Sequence, residues 1–132
     1  FGVQAVVGSI EAKLLNSLNV VYTHNGREPT ELLVTDWAKR LEAAGCGEIL
    51  ITSIDRDGTK KGYDSRLNDE ICAAVSCPVV CSGGFGRLEH LDPILKSNAL
   101  SGIAVGTVLH YGIENINSIR EYIESSEAQI AN

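Results

Sequence analysis

Four short stretches of the chain are apolar at nearly every position: Ala5–Ile10 (AVVGSI), Glu48–Ile54 (EILITSI), Pro78–Ser82 (PVVCS) and Ser101–Thr107 (SGIAVGT). Short runs without polar alternation predict strands covered on both faces. Around them, apolar residues recur at helical spacing. Thr35–Ala44 sets Trp37, Leu41 and Ala44 on one face, and Ser65–Ser76 aligns Leu67, Ile71 and Ala74. Arg87–Ser97 aligns Leu88, Leu91 and Leu95, and Asn115–Glu127 aligns Ile116, Ile119 and Ile123. The resulting β-α-β-α-β-α-β-α order predicts parallel strands joined by helical crossovers. The first connection is longer, and within it Asn19–His24 followed by Asn25-Gly26 predicts a strand or half hairpin with a turn.

Each predicted strand runs into polar or glycine-rich residues, and in parallel α/β folds ligands bind outside the carboxyl ends of the strands. Ser82-Gly83-Gly84-Phe85-Gly86 follows the third strand and precedes a helix. Glycines there let the backbone approach a phosphate closely, and a helix start offers free N–H groups. Gly106-Thr107 after the fourth strand adds further N–H donors and a hydroxyl. The same glycines also serve plain tight turns, but two such loops in the last two units favour a phosphate site. Replacing Gly84 with Val is then expected to abolish phosphate-ester binding on an intact fold.

The segment Asp55-Arg56-Asp57-Gly58-Thr59 reads either as a solvated turn or as a substrate loop, with Asp57 or Thr52 bonding sugar hydroxyls. Glu11, expected just past the first strand, reads as a catalytic acid or base, or equally as half of a surface pair with Lys13. Glu48 opens the second strand and shares a face with Leu50 and Thr52, which would set a charge near the N-terminal mouth of a barrel. His24, His90 and His110 share no motif and read as packing or surface residues, and Trp37 as core.

Composition narrows the classes. The 132 residues suit one domain, 1–132, with a real core. A net charge of −6 from 11 basic and 17 acidic residues argues against nucleic acid as a partner. No apolar run is long enough for a membrane span. The opening residues lack a signal-peptide pattern, and Phe1 stands just before a strand, as if the chain entered in mid-fold. Cys46, Cys72, Cys77 and Cys81 form no CxxC pair. Cys46 and Cys72 are expected in helical stretches and Cys81 in a strand, all four as reduced structural thiols of a cytosolic protein. No metal or cofactor is expected, and no EF-hand ligand pattern is present.

The stretch Gly47–Asp64 (GEILITSIDRDGTKKGYD) closely resembles the cyclase subunit family of imidazole glycerol phosphate synthase. Phe1–Val7 (FGVQAVV), Ser82–Gly86 with Leu88-Glu89-His90, and Leu109-His110 resemble it too. The likeness runs through essentially the whole chain and covers the second half of that family's barrel. It implies half of a (β/α)8 TIM barrel, four parallel β/α units, completed by dimerisation or by an N-terminal half.

It further implies cyclase-lyase chemistry in histidine biosynthesis. A ribulosyl-formimino bisphosphate and ammonia from a glutaminase subunit give imidazole glycerol phosphate and aminoimidazole carboxamide ribotide. The family uses two aspartates as acid and base. One falls on a strand outside this half, and the other falls at Glu11, a carboxylate one methylene longer. The resemblance implies phosphate contacts from Gly83, Gly84, Gly106 and Thr107, and substrate contacts from Thr52, Asp57, Gly58 and Ser82. It implies an ammonia-gate role for Glu48. The expected partners are this phosphorylated, nucleotide-like substrate, the glutaminase and a second half-barrel, in the cytoplasm. Two alternatives stand beside it. One is a non-catalytic phosphate-binding half-barrel. The other is a cyclase-like amidotransferase partner in surface-polysaccharide synthesis, toward which Thr23-His24-Asn25 and Ala104–Thr107 lean.

Overall fold

The structure is a computed structural model that describes residues 2–97 and 99–130, with only the helix given for 128–130. Phe1, quoted above for the resemblance, lies outside the described residues. The elements are β1 (Val7–Leu15), β2 (Leu18–Thr23), β3 (Glu28–Leu33), α1 (Val34–Ala43), β4 (Glu48–Ser53) and α2 (Ser65–Ala74). They continue with β5 (Val79–Ser82), α3 (Asp92–Ser97), β6 (Gly102–Ala104), α4 (Thr107–His110) and α5 (Ile116–Ile130). Short 3-10 turns occupy Val3–Ala5 and Leu88–Leu91. No described helix is long and apolar enough to cross a membrane.

The strands form one six-stranded sheet in the order β3-β2-β1-β4-β5-β6. β1, β4, β5 and β6 are parallel neighbours, each reached from the last through a helix, which is the architecture of half a (β/α)8 barrel. The antiparallel strands β2 and β3 are additions to it. β1 starts later and runs further than the expected Ala5–Ile10, because its upper part pairs with β2 from Glu11↔Tyr22 to Leu15↔Leu18. The link between them, Asn16-Ser17, takes positive φ at both residues (50° and 68°), the conformation of a two-residue hairpin turn. β3 escapes the hydrophobic pattern because it carries Glu28, Pro29 and Glu31. An outermost strand tolerates them, since its free side needs neither apolar residues nor N–H donors.

Three helices also differ from expectation in detail. α1 begins one residue early, so Val34 and Ala38 are fully buried while Ala44 is exposed and Trp37 packs half-buried at the edge of the core. The expected helix Arg87–Ser97 splits into the 3-10 turn and α3, with Pro93 near the start of α3, where its missing N–H costs nothing. Thr107 opens α4 rather than ending a strand.

The core lies on one side of the sheet only. Ile10, Ala12, Ile49, Ile51, Val79 and Cys81 point to the helices and are buried with Val34, Ala38, Leu67, Ile71 and Leu91. Each fully buried Val, Leu or Ile among them contributes about 1.5–3 kcal/mol of transfer free energy. The opposite face carries Val7, Ser9, Glu11, Glu48, Leu50, Thr52, Val80 and Ser82, which are half-buried or exposed. Sequence apolarity on both faces therefore exceeds what this half-barrel covers by itself. β2 covers the upper half of β1, and only Val7–Ile10 lacks a partner on that side among the described residues.

Candidate functional site

Register decides which side chains meet. Glu11 pairs with Thr52, Thr52 with Ser82 and Ser82 with Ala104, so these four stand in one row at the C-terminal ends of the parallel strands. Neighbouring strands lie about 4.8 Å apart, which sets Glu11 and Ser82 roughly 10 Å apart across the row. Glu11 lies within β1 rather than past its end, and is half-buried on the open face. The hairpin holds it there from above, with Tyr22 opposite it on β2. Its pairing with Lys13 is not realised: Lys13 Nζ lies 5.9 Å from the Tyr22 ring centroid, and no ion pair joins it to Glu11 among the described residues.

Beside the row is a cavity of about 180 Å³ lined by Asp57, Ser82, Gly83, Gly84, Phe85, Ala104, Val105, Gly106 and Thr107. All four residues expected to bind phosphate line it, with two of the four expected to bind substrate, Asp57 and Ser82. Among the described residues, no hydrogen bond engages the N–H of Gly84 or Gly106, and the N–H of Thr107 opens a helix, where it has no intrahelical acceptor. The cavity is thus furnished with donors suited to an anion. Asp57 is an acceptor once ionised, so it suits a hydroxyl better than a phosphate. Thr52 stands one strand away in the row, and Gly58 sits at an exposed loop tip with φ 72°, outside the lining.

The glycines differ in what they do. Gly83 has φ 95°, and a Cβ there would lie 2.8 Å from Ser53 O. Gly84 has φ 105°, and its Cβ would collide with the carbonyl oxygen of Gly62. Replacing Gly84 by Val therefore disturbs the fold as well as the cavity, contrary to expectation. A Cβ on Gly106 would meet no protein atom within 4 Å, so packing does not demand a glycine there.

Several residues that hold this site carried no functional signal in the sequence. Tyr63 reaches from the loop after β4 across β5, donating its hydroxyl to Ala104 O at 3.1 Å, and packs on Phe85 with ring centroids 5.9 Å apart. Burial, then the neighbouring Cys81, pushes the Tyr63 phenol far above its ordinary pKa, so it stays a donor. Asp64 caps α2 by accepting the Leu67 N–H at 3.1 Å and takes the Ser53 hydroxyl at 3.3 Å; Asp before Ser at a helix start was the available signal. Asp55 accepts the Leu14 N–H at 2.8 Å and so ties the hairpin to the loop after β4. His90 Nδ1 accepts the Gly86 N–H at 3.1 Å, bracing the glycine-rich loop. Its pKa is lowered, first by burial and then by Arg87.

Glu48 begins β4 at the opposite end of the sheet from the row, beside Val7, and has no ion pair among the described residues. It is half-buried, as a residue facing a barrel interior near its lower mouth would be. His24 sits at the β2–β3 turn, 3.3 Å from Glu28, and His110 packs edge-on to Tyr111; neither lines the cavity. The four cysteines are free thiols, although Cys46 follows α1 in a loop instead of lying in a helix. Among the described residues, no cluster of three His, Cys, Asp or Glu could hold a metal ion.

A family profile described as histidine biosynthesis protein matches residues 1–115. The chain belongs to that family. Within it, the chain is 42% identical over 124 residues to the imidazole glycerol phosphate synthase subunit HisF of Chlorobaculum parvum, covering 93% of this chain and 49% of that protein. It is 37% identical over 131 residues to the subunit of the same name from Bacillus cereus, covering 98% and 52%. A Dehalococcoides mccartyi subunit of that name is 42% identical over 125 residues, covering 95% and 49%. The chain thus spans about half the length of the curated relatives it matches. These histidine-biosynthesis relatives do not favour the alternative in polysaccharide synthesis.

Proposed function

We propose that this chain supplies the C-terminal half of the barrel of an imidazole glycerol phosphate synthase cyclase. On this reading the barrel joins ammonia from a glutaminase partner to a ribulosyl-formimino bisphosphate, and releases imidazole glycerol phosphate and aminoimidazole carboxamide ribotide in the cytoplasm. The observation that carries it is the single row of Glu11, Thr52 and Ser82 beside a cavity walled by both glycine loops. A carboxylate at a strand's C-terminal end can take or give a proton at a bound substrate. The N–H groups of Gly84, Gly106 and Thr107 suit one phosphate, and Thr52, Ser82 and Asp57 suit the hydroxyls and polar atoms between that phosphate and Glu11. The second phosphate and the second acid–base group belong to the other half of the barrel. Glu48, at the lower mouth, is the candidate to meet ammonia on its way in.

The open face requires a cover, either an N-terminal half or a second copy related by a two-fold axis. The test is reconstitution. The chain is mixed with the separately produced N-terminal half of a relative, the bisphosphate and an ammonium salt, and product is followed. Turnover that falls at least about 100-fold on Glu11→Gln supports the proposal. Turnover indifferent to Glu11→Gln, or none from an assembled barrel that binds the substrate, overturns it.

A further inference from the structure

The hairpin that bears Glu11 is held at its outer end by polar contacts rather than by packing. Leu14, Leu15 and Leu18, which flank the turn, are 47%, 39% and 55% exposed. The turn residues Asn16 and Ser17 both sit at positive φ, which costs energy in residues other than glycine. Two anchors hold this end. On α2, Arg66 and Glu70 are one helical turn apart and so share a face. The Arg66 guanidinium donates to Ser17 O at 3.3 Å, and Glu70 Oε2 accepts from Asn19 Nδ2 at 2.6 Å. Asn19 is only 5% exposed, so its amide needs such an acceptor.

The other anchor is Asp55. β1 and β4 pair as far as Ala12↔Ser53, and the Ile54 N–H then donates to Ala12 O at 2.8 Å. The next bond of a parallel ladder would join the Leu14 N–H to a carbonyl of a continued β4. β4 ends in a turn instead, in which the Arg56 and Asp57 N–H groups donate to Ser53 O at 3.2 and 2.9 Å. The Asp55 carboxylate takes the missing carbonyl's place and accepts the Leu14 N–H at 2.8 Å. Glu11 stands one residue before the last pair of that ladder. Opening starts at a free end, so the bond that closes this end protects the register of the residues just below it.

We propose that Asp55 is a positioning residue for Glu11, closing the free end of the β1–β4 ladder so that the Glu11 carboxylate is presented at a fixed height in the row. The proposal rests on the reading of Glu11 as an acid–base group of the assembled barrel. Asp55 is engaged with the hairpin backbone, whereas Asp57, two residues on, lines the cavity. The effect of Asp55 therefore falls on proton transfer and not on phosphate binding, since the N–H groups of Gly84, Gly106 and Thr107 belong to other loops. A displacement of about 1 Å can cost roughly 100-fold in rate, and a loosened ladder end, resisted by the pairs below it, costs less, about tenfold.

The test compares Asp55→Ala, Asp55→Asn, Glu11→Gln and the double variant Asp55→Ala/Glu11→Gln. Each full chain is reconstituted with the separately produced N-terminal half of a relative and assayed with bisphosphate and ammonium. Asp55→Ala should lower kcat about tenfold and leave KM within about twofold. Asparagine keeps an oxygen acceptor, so Asp55→Asn should recover most of the loss. On the Glu11→Gln background Asp55→Ala should cost nothing further, because a positioning residue has no effect without the group it positions. In the chain alone, Asp55→Ala should speed hydrogen exchange at the Leu14 amide about tenfold while leaving the calorimetric affinity for a phosphate ester unchanged. A kcat loss that persists in full on the Glu11→Gln background, or one matched by a rise in KM, marks a general structural role and overturns the proposal. An unchanged kcat in Asp55→Ala beside an impaired Glu11→Gln also overturns it, and leaves the reading of Glu11 standing. If Glu11→Gln itself changes nothing, that reading falls and the positioning role falls with it.

Discussion

The Gly62 N–H donates to the carbonyl oxygen of Gly84 at 2.8 Å, which lays the loop after β4 directly on the loop after β5. Gly62 and Gly84 both have positive φ, 97° and 105°. A side chain on Gly84 would be strained by its own backbone and driven into Gly62. Gly84→Val should therefore lower stability by about 2 kcal/mol or more, read as a drop in the denaturant midpoint. An unchanged midpoint would show that the two loops do not depend on this contact.

Gly106 separates binding from folding. An added methyl there meets no protein atom within 4 Å. Gly106→Ala should leave the midpoint within about 0.5 kcal/mol of the parent. It should weaken binding of a phosphate ester by calorimetry about tenfold, or about 1.4 kcal/mol, by filling the space before the N–H donors. Equal affinity would remove this loop from the anion site.

His90 makes the glycine-rich loop sensitive to acid. Its folded pKa lies below the ordinary 6.5, from burial first and the Arg87 charge second, with Glu89 opposing. The unfolded chain thus takes up this proton first as pH falls. Stability from this residue is present above about pH 6.5 and is lost below it, as the protonated ring can no longer accept the Gly86 N–H. The parent should lose midpoint between pH 7.5 and 5.5 faster than His90→Gln. Parallel pH profiles for the two would disprove the assignment.

The parallel strands were legible because Ile10, Ile49, Ile51 and Val79 form short, dense apolar runs, and the cavity because its glycines follow two successive strands. Glu11, Thr52 and Ser82 could each be singled out, but their common row could not. It is a matter of register, which depends on where each strand begins relative to its neighbour. β3 was hidden because edge strands relax the rules that make strands visible, with Pro29 in its second position. Tyr63 was hidden because its partner is a backbone carbonyl 41 residues away, and a carbonyl has no sequence signature.

The uncovered lower half of β1 has a measurable consequence. Val6 and Val7 are 54% and 50% exposed, beside strand edges without partners among the described residues. Exposed apolar residues on an open edge promote association. The chain should sediment as a dimer or larger at micromolar concentration, and Val7→Lys should shift it toward monomer while leaving the helix-side core intact. A compact parent monomer would mean that the open face is tolerated in water.

On the proposed reading activity turns on Glu11, which should not suffice by itself. Its carboxylate stands beside Thr52 on the open face of the sheet. Losing one member of an acid–base pair typically forfeits 10²–10⁴-fold in rate. On that reading the substrate carries a phosphate at each end and would find one glycine-lined cavity here, forfeiting part of the binding that positions its centre. A two-fold dimer would restore a second cavity, but would place a second Glu11 where the family has an aspartate in other surroundings. The expected outcome for the chain alone with bisphosphate and ammonium is binding without measurable loss of substrate absorbance. Glu11→Asp should matter only in the reconstituted barrel, where one methylene moves the carboxyl by about 1 Å, a displacement that can change the rate by roughly 100-fold. The direction then reports on the geometry. A faster Asp variant means the longer side chain overshoots the reacting atom, and a slower one means the barrel has been adjusted to glutamate. If the chain alone turns substrate over and Glu11→Gln abolishes it, the half-barrel is a complete catalyst and the need for a second carboxylate is refuted.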